Sequence, residues 1–368
     1  MCLPGVLYCE ARHGRPVSQY KAPGGSRAPA GSTLRPMAEQ LIDGYGRVHR
    51  DLRISVTDRC NFRCTYCMPE DGLQWLPRSE VLTFEEIERV ARLLVERFGI
   101  DSIRLTGGEP TLRARLPVLV EKLAVLQVDG RPIDLAMTTN AATLAHQVDE
   151  LRAAGLRRIN ISLDTLRRDR FVELTRRDEL DHVLNGIDAA VGAGFESVKV
   201  NAVVMAGVND DEIVDLATFA RDRGVELRFI EFMPLDADGG WQRRRVISRD
   251  EIVATIAAVH PVEPVHRGAA PAERFRYLDG AGHVGVIASV TEPFCESCDR
   301  VRLSAEGSLR NCLFALDEFD LRAGLRSGAS DDELATIIRS CVAAKWAGHA
   351  INQVHFIRPA KSMSQLGG

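Results

Sequence analysis

The sequence has no uninterrupted apolar run of the roughly 18 residues that a membrane-spanning helix needs. A secretory apolar segment is also missing. It has no surplus of positive charge: 47 Lys and Arg stand against 51 Asp and Glu, for a net charge of −4. That balance argues against a general nucleic-acid binder. A chain of 368 residues with 45% hydrophobic content can bury a sizeable core, as one large domain or two moderate ones. Such a chain does not need disulfide staples, yet it has nine cysteines. Six of them fall into two tight triplets, a clustering that favours metal binding over disulfides and points to a reducing, cytoplasmic setting.

The first triplet is Cys60-Asn61-Phe62-Arg63-Cys64-Thr65-Tyr66-Cys67, spaced C-x3-C-x2-C. Thiolates are soft ligands suited to zinc or to iron–sulfur iron. A structural zinc loop ordinarily shows C-x2-C pairs and a nearby fourth ligand, whereas the nearest Cys or His residues here are His49 and Cys9. Three thiolates on a four-iron cubane leave one iron open for a small molecule. With Tyr66 before its last cysteine, the loop resembles the radical S-adenosylmethionine (SAM) enzymes. That resemblance implies a [4Fe-4S] cluster at Cys60, Cys64 and Cys67. Its open iron would be chelated by SAM, which is cleaved reductively to a 5′-deoxyadenosyl radical.

Residues 1–46 are rich in Pro, Gly, Ser and Arg without apolar periodicity, which predicts a disordered extension. Cys2 and Cys9 are bystanders in it, and Met37 is a candidate start. From Leu52, short β-branched runs at 52–57, 102–106, 133–138, 158–163, 197–204 and 225–231 alternate with helical patterns. Those patterns lie near 84–98, 115–126, 143–153, 180–193 and 210–222, and the first opens at a Thr83/Glu86 capping box. Six βα repeats predict a parallel sheet, too few for a closed eight-stranded barrel. The expected fold is α/β: an incomplete (βα)6 TIM-like barrel over 47–235. An α+β region over 236–368 would close its open side, with a helix from Ser248 and strands near 274–278 and 283–288.

Function in such sheets sits at the strands' carboxyl ends. The Cys60 loop follows the first strand there, and Thr106-Gly107-Gly108-Glu109-Pro110 follows the second. The glycines permit close backbone approach and Glu109 supplies an anion, although alone the motif is a turn. By resemblance, Gly108 and Glu109 serve the SAM amino group, Tyr66 and Ser162 are further SAM contacts, and Met233 packs on the adenine.

The second triplet is Cys295-x2-Cys298-x13-Cys312. Spacing alone leaves zinc and iron open, with Cys341, His283, His349 or His355 as a possible fourth ligand. Arg300 and Arg302, two apart, share a face if the segment is a strand. Paired guanidiniums suit an anion such as a phosphate chain; the bland reading is a solvated basic edge. Phe294-Cys295-x2-Cys298-Asp299-Arg300-x-Arg302-Leu303, Cys312-Leu313-Phe314, Leu52 to Cys60 and the terminal Gly367-Gly368 resemble the GTP 3′,8-cyclases of molybdenum cofactor biosynthesis, from about Ala38 onward. The resemblance implies a second [4Fe-4S] cluster at Cys295, Cys298 and Cys312, whose open iron takes the purine of GTP. It implies substrate contacts at Arg53, Arg104, Thr138, Lys199, Arg300, Val301 and Arg302, with Arg300 and Arg302 also counted as catalytic. It further implies a flavodoxin- or ferredoxin-type electron donor, a downstream cyclic pyranopterin monophosphate synthase, a homodimer, and a diglycine tail threading toward the cavity. Cations on Arg53, Arg104 and Lys199, placed on core strands, need a buried anion, either a triphosphate or neighbouring acids. One departure from the family is Ala141, where a glycine is usual.

Overall fold

The computed structural model describes residues 38–236, 239–268, 270–354 and 356–366. Cys2, Cys9, Met37, His355 and Gly367-Gly368 lie outside these residues, as do residues 1–37 of the expected disordered extension. Residues 38–46 correct that expectation. Leu41 and Asp43 are buried, His49 N–H donates to Leu41 O at 2.8 Å, and Asp43 holds Arg47 at 2.6 Å. One apolar anchor and one capped acid suffice to fix this short segment.

The strands in chain order are β1 Asp51–Ser55, β2 Ser102–Thr106, β3 Gln127–Val128, β4 Arg131–Pro132, β5 Asp134–Thr139, β6 Arg158–Ser162, β7 Ser197–Val204, β8 Glu226–Glu231, β9 Val262–Val265, β10 Glu273–Tyr277, β11 His283–Ile287, β12 Arg300–Leu303, β13 Ser308–Arg310 and β14 Phe319–Asp320. The α-helices are α1 Phe84–Phe98, α2 Leu116–Ala124, α3 Val148–Ala153, α4 Arg168–Thr175, α5 Leu180–Gly192, α6 Ile213–Asp222, α7 Arg249–Ala257, α8 Leu321–Ser327, α9 Asp331–Ala343 and α10 Met363–Leu366.

Apart from the β3–β4 hairpin, the strands form one 12-stranded sheet, ordered β14-β13-β12-β1-β2-β5-β6-β7-β8-β11-β10-β9. The run from β12 through β11 is parallel throughout. The six expected strands are all present. The C-terminal region contributes β12 beside β1 and β11 beside β8, and each new edge ends in antiparallel strands. The sheet is thus widened at both ends and remains open, with β14 and β9 as its outer strands.

Alternation along each strand sorts the side chains. Leu52, Ile54, Ile103, Leu105, Ile159, Ile161, Val301 and Leu303 join the buried core. So does the apolar face of α1, including Ile87, Val90 and Leu94. Thr83 and Glu86 form the expected capping box, and Gly99 at φ 72° ends the helix, as a left-handed C-cap should. Each such aliphatic side chain contributes about 1.5–3 kcal/mol when buried. The other face of the sheet carries Arg53, Arg104, Thr138, Asn160, Asn201, Arg228 and Arg302, which line a cavity.

Candidate active site

The Cys60 loop leaves the carboxyl end of β1 and is held by backbone on two sides. On one side, the N–H groups of Gly108 and Glu109 donate to Thr57 O and Arg59 O at 2.8 and 2.7 Å. A Cβ on Gly107 would lie 2.5 Å from Thr57 O, and one on Gly108 2.3 Å from Arg59 O. The close approach that these glycines permit is therefore to the cysteine loop itself. On the other side is α4, which sequence reasoning missed because its Arg-rich sequence has only a weak apolar stripe. Its last carbonyls have no partner within the helix. Leu174 O and Thr175 O accept from Thr65 and Arg63 N–H, both at 2.9 Å. Phe62 meets Phe171 edge-on at 5.7 Å.

Glu109, only 1% exposed, accepts from Thr111 and Thr139 hydroxyls, both at 2.6 Å, and from Asn140 N–H at 2.7 Å. Burial holds its pKa above the usual carboxylate value against those bonds. The carboxylate thus ties the loop after β2 to the end of β5 while facing the cavity. Tyr66 donates to Asp164 at 2.5 Å, and burial raises Asp164 to about 6. Burial likewise pushes the Cys60 thiol up to about 11 and Cys67 to about 12, and raises Cys64. Nearby acids push the same way: Glu109 acts on Cys60, and Asp164 on Cys64 and Cys67.

Cys295, Cys298 and Cys312 line the same cavity as Cys60, Cys64 and Cys67, a space of about 320 Å³. Among the described residues, no three His, Cys, Asp or Glu side chains group closely enough to hold a single metal ion. Of the possible fourth zinc ligands, Cys341 is buried on α9 and His283 sits on β11 away from the cavity. His349 does line the cavity, with Nδ1 buried and lacking a partner and its ring 5.1 Å from that of Phe314. The donor set of three thiols in each group, spread along a cavity wall, suits a cluster better than one ion. The first group has Arg63 beside Cys60, whereas the second has several cations around Cys298. Burial raises Cys298, but Arg300, Lys345 and Arg302 outweigh it and leave the thiol below its usual value.

The sheet register explains the charge in the cavity. Arg53 pairs with Arg302 on one side and Arg104 on the other. Three arginines thus stand side by side on adjacent strands, an arrangement that is destabilising unless an anion is present. Burial lowers Arg53 well below its normal range and takes Arg104 and Arg302 to about 10. Arg104 Nε, Asp51 Oδ1 and Asn201 Oδ1 are buried without hydrogen-bond partners. Arg300 stacks on Phe294 at 4.7 Å.

Of the residues singled out in the sequence, Tyr66, Gly108, Glu109, Ser162, Met233, Arg53, Arg104, Thr138, Arg300 and Arg302 all line the cavity. Lys199 and Val301 do not. Val301 points into the core as alternation requires. Lys199 sits 3.5 Å from Glu226, an acid it shares with Arg228 and Arg274; burial and Arg228 bring the amine down to about 8. Arg228 was overlooked, although it sits between buried Leu227 and Phe229 and so carried the same inward-arginine signal as Arg53.

Residues 54–220 match the Radical SAM superfamily, and residues 225–351 match the Molybdenum Cofactor Synthesis C family. The chain is 50% identical over 340 residues to a GTP 3′,8-cyclase of Streptomyces coelicolor, covering 92% of this chain and 99% of that one. The chain belongs to the GTP 3′,8-cyclase family. A GTP 3′,8-cyclase of Rhodopirellula baltica is 50% identical over 333 residues, 89% of this chain and 92% of its own. In fold, the chain is similar to Streptococcus suis SuiB, solved with bound S-adenosylmethionine (TM-score 0.58, 13% identity, 86% of this chain and 77% of that one). For a member of the GTP 3′,8-cyclase family, SAM and one [4Fe-4S] cluster follow from the radical SAM match, and the first triplet fits that cluster. Ala141 has φ 61°, the left-handed backbone that a glycine at this turn would adopt freely. It is accommodated because α5 presents Gly186 opposite: a Cβ there would lie 2.3 Å from Ala141 O.

Proposed function

We propose that this chain is a radical SAM lyase that holds a [4Fe-4S] cluster on each cysteine triplet. It converts GTP to (8S)-3′,8-cyclo-7,8-dihydroguanosine 5′-triphosphate, the first step of molybdenum cofactor biosynthesis. The observation that carries this reading is that six thiols and a row of three arginines face one cavity. Bound SAM and the first cluster would supply one-electron chemistry at the ribose: the hydrogen atom leaving C3′ would end on 5′-deoxyadenosine, C3′ would bond to C8, and one electron from the donor protein with one proton would complete the dihydropurine.

The residues divide the remaining work. Cys60, Cys64 and Cys67 hold one cluster, and Cys295, Cys298 and Cys312 hold the other beside the purine. Tyr66, Gly108, Glu109, Ser162 and Met233 bind SAM. Arg53, Arg104, Arg300 and Arg302, with Thr138, grip the triphosphate through charge-assisted hydrogen bonds, and so fix the ribose against the reacting centre. Lys199, tied to Glu226, adds to the field, and Val301 supports the strand from behind. Phe294, Leu313 and Phe314 on the cavity wall limit water, which would otherwise intercept the reaction.

Residues 47–235 form the catalytic partial barrel and 236–368 the substrate-holding region. The enzyme acts in the cytoplasm as a homodimer, takes electrons from a flavodoxin- or ferredoxin-type protein, and passes its product to a cyclic pyranopterin monophosphate synthase. Anaerobically reconstituted, reduced protein incubated with SAM and GTP should yield 5′-deoxyadenosine and the cyclised nucleotide in step. Deoxyadenosine formed only with a peptide would point to a peptide-modifying maturase, and none at all to a sensor.

A further inference from the structure

Lys345, just beyond the end of α9, is 5% exposed. Its ammonium donates to His49 Nε2 at 2.9 Å, to Cys298 O and Arg300 O, both at 3.0 Å, and reaches Cys298 Sγ at 3.6 Å. Among the described residues, no carboxylate lies within ion-pair distance of it. A buried ammonium is expensive unless an anion faces it; Asp299 feels its charge from farther off, and the anionic candidate within reach is Cys298 Sγ.

The histidine leaves no ambiguity in the direction of these bonds. An ammonium has three donors and no acceptor, so His49 Nε2 must accept. Its proton then sits on Nδ1, which faces Arg47 O at 3.1 Å. His49 is therefore a neutral prop that aims the lysine and does not share its charge. From the same segment, Arg47 donates to Cys295 O at 2.8 Å and Trp346 O at 2.6 Å. Residues 47–49 and 345–346 thus brace the Cys295–Cys298 turn from two ends of the chain, and of these Lys345 is the one that reaches a sulfur, at 3.6 Å, adding to the field of Arg300 and Arg302. At the first triplet Arg63 donates to Cys60 O at 2.9 Å, while the side-chain group that approaches Cys60 Sγ, at 4.0 Å, is the neutral amide of Asn140.

We propose that Lys345 is the counter-ion and positioning residue of the second cluster. It would set its positive charge 3.6 Å from Cys298 Sγ and keep that cluster's reduction potential above that of a cluster without such a cation. Hydrogen bonds to cluster sulfurs and nearby net charge set such potentials, and a cation favours the more negative, reduced state. The inference rests on the reading of Cys295, Cys298 and Cys312 as a cluster site.

The test uses full-length, anaerobically reconstituted protein. Iron is counted first, and the second cluster's midpoint is then titrated by electron paramagnetic resonance in a C60A/C64A/C67A background. K345M should keep the second cluster's four irons but move its midpoint to more negative potential. K345R should restore much of the shift, and H49Q should move it less than K345M. For a K345M protein that fails to fold, the unsubstituted Lys345 protein labelled with 15N-lysine gives the answer directly: pulsed measurements on the reduced second cluster should show a 15N coupling. Full iron with an unmoved midpoint, or no 15N coupling, overturns the role of Lys345 alone. About four irons per chain in the wild-type protein, or stoichiometric zinc, overturns the cluster reading and this inference with it.

Discussion

The two cysteine triplets use the same ligand and a shared local device. Phe62 N–H lies 3.4 Å from Cys60 Sγ, and Phe314 N–H lies 3.4 Å from Cys312 Sγ. Their surroundings differ in charge. The first group sits among Glu109 and Asp164, with Arg63 beside Cys60, and is held by backbone from strand ends and the α4 terminus together with the side chains of Arg63, Arg176 and Arg177. The second sits among Arg300, Arg302 and Lys345 and is braced by side chains from distant parts of the chain. On the reading proposed above, the difference would sort two ligands of opposite sign within one cavity: a sulfonium with an amino group would belong on the acidic side, and a nucleoside triphosphate on the basic side. Neither ligand gains by binding in the other's place, because like charges at close range in a poorly solvated site are strongly unfavourable.

The contrast is broken most severely by removing ligands. C64A should abolish 5′-deoxyadenosine formation altogether. C298A should lower iron from about eight to about four per chain while leaving SAM binding intact. Equal loss of SAM binding in both variants, by equilibrium dialysis, would mean that the two halves are not separable. Next in size, R302A should weaken GTP binding about 10- to 100-fold, the usual value of a hydrogen bond to a charged group, with no change in SAM affinity. R302K should recover only part of this, because an ammonium cannot form the bidentate fork.

A smaller effect tests the acidic side. Burial raises Asp164 from 3.8 to about 6. A raised folded pKa contributes stability that is fully present below about pH 4 and lost as pH climbs through 6. In D164N this dependence is gone. Denaturant melts of cluster-free protein should therefore show wild type losing about 3 kcal/mol relative to D164N between pH 4 and 7. A flat difference would mean that the carboxyl is solvated. Smaller again, G186A should destabilise the protein by about 1–3 kcal/mol, because the new Cβ collides with Ala141 O. A141G should raise stability by up to about 1 kcal/mol by relieving a left-handed alanine. Neither should alter iron content, which separates the scaffold of the first loop from its ligands.

Much of this was legible in the sequence, because its signals were local. The strands reveal themselves by alternation, α1 by its capping box, and the triplets by spacing. Arg53 and Arg104 were recognisable as inward cations because each lies between two aliphatic residues. What escaped depended on pairing across the chain. Nothing near Arg300 announces that β12 lies parallel to β1, so the Arg302–Arg53–Arg104 row had no sequence signature. Lys345 escaped for a similar reason: its partners at His49 and Cys298 are far away in sequence, and a lone lysine after a helix ordinarily reads as solvated. Arg228 was available to the same reasoning as Arg53 and was overlooked. Lys199 is half-buried on its strand, and its neighbour Glu226 comes from the next strand, which nothing near Lys199 in sequence announces.

The parallel seating of β12 against β1 also orders events during synthesis. Strands β1 to β8 emerge from the ribosome well before the segment that completes their flank. A chain lacking β12 would therefore hold Arg53 and Arg104 without Arg302, and the arginine row would be completed only when that seam closes.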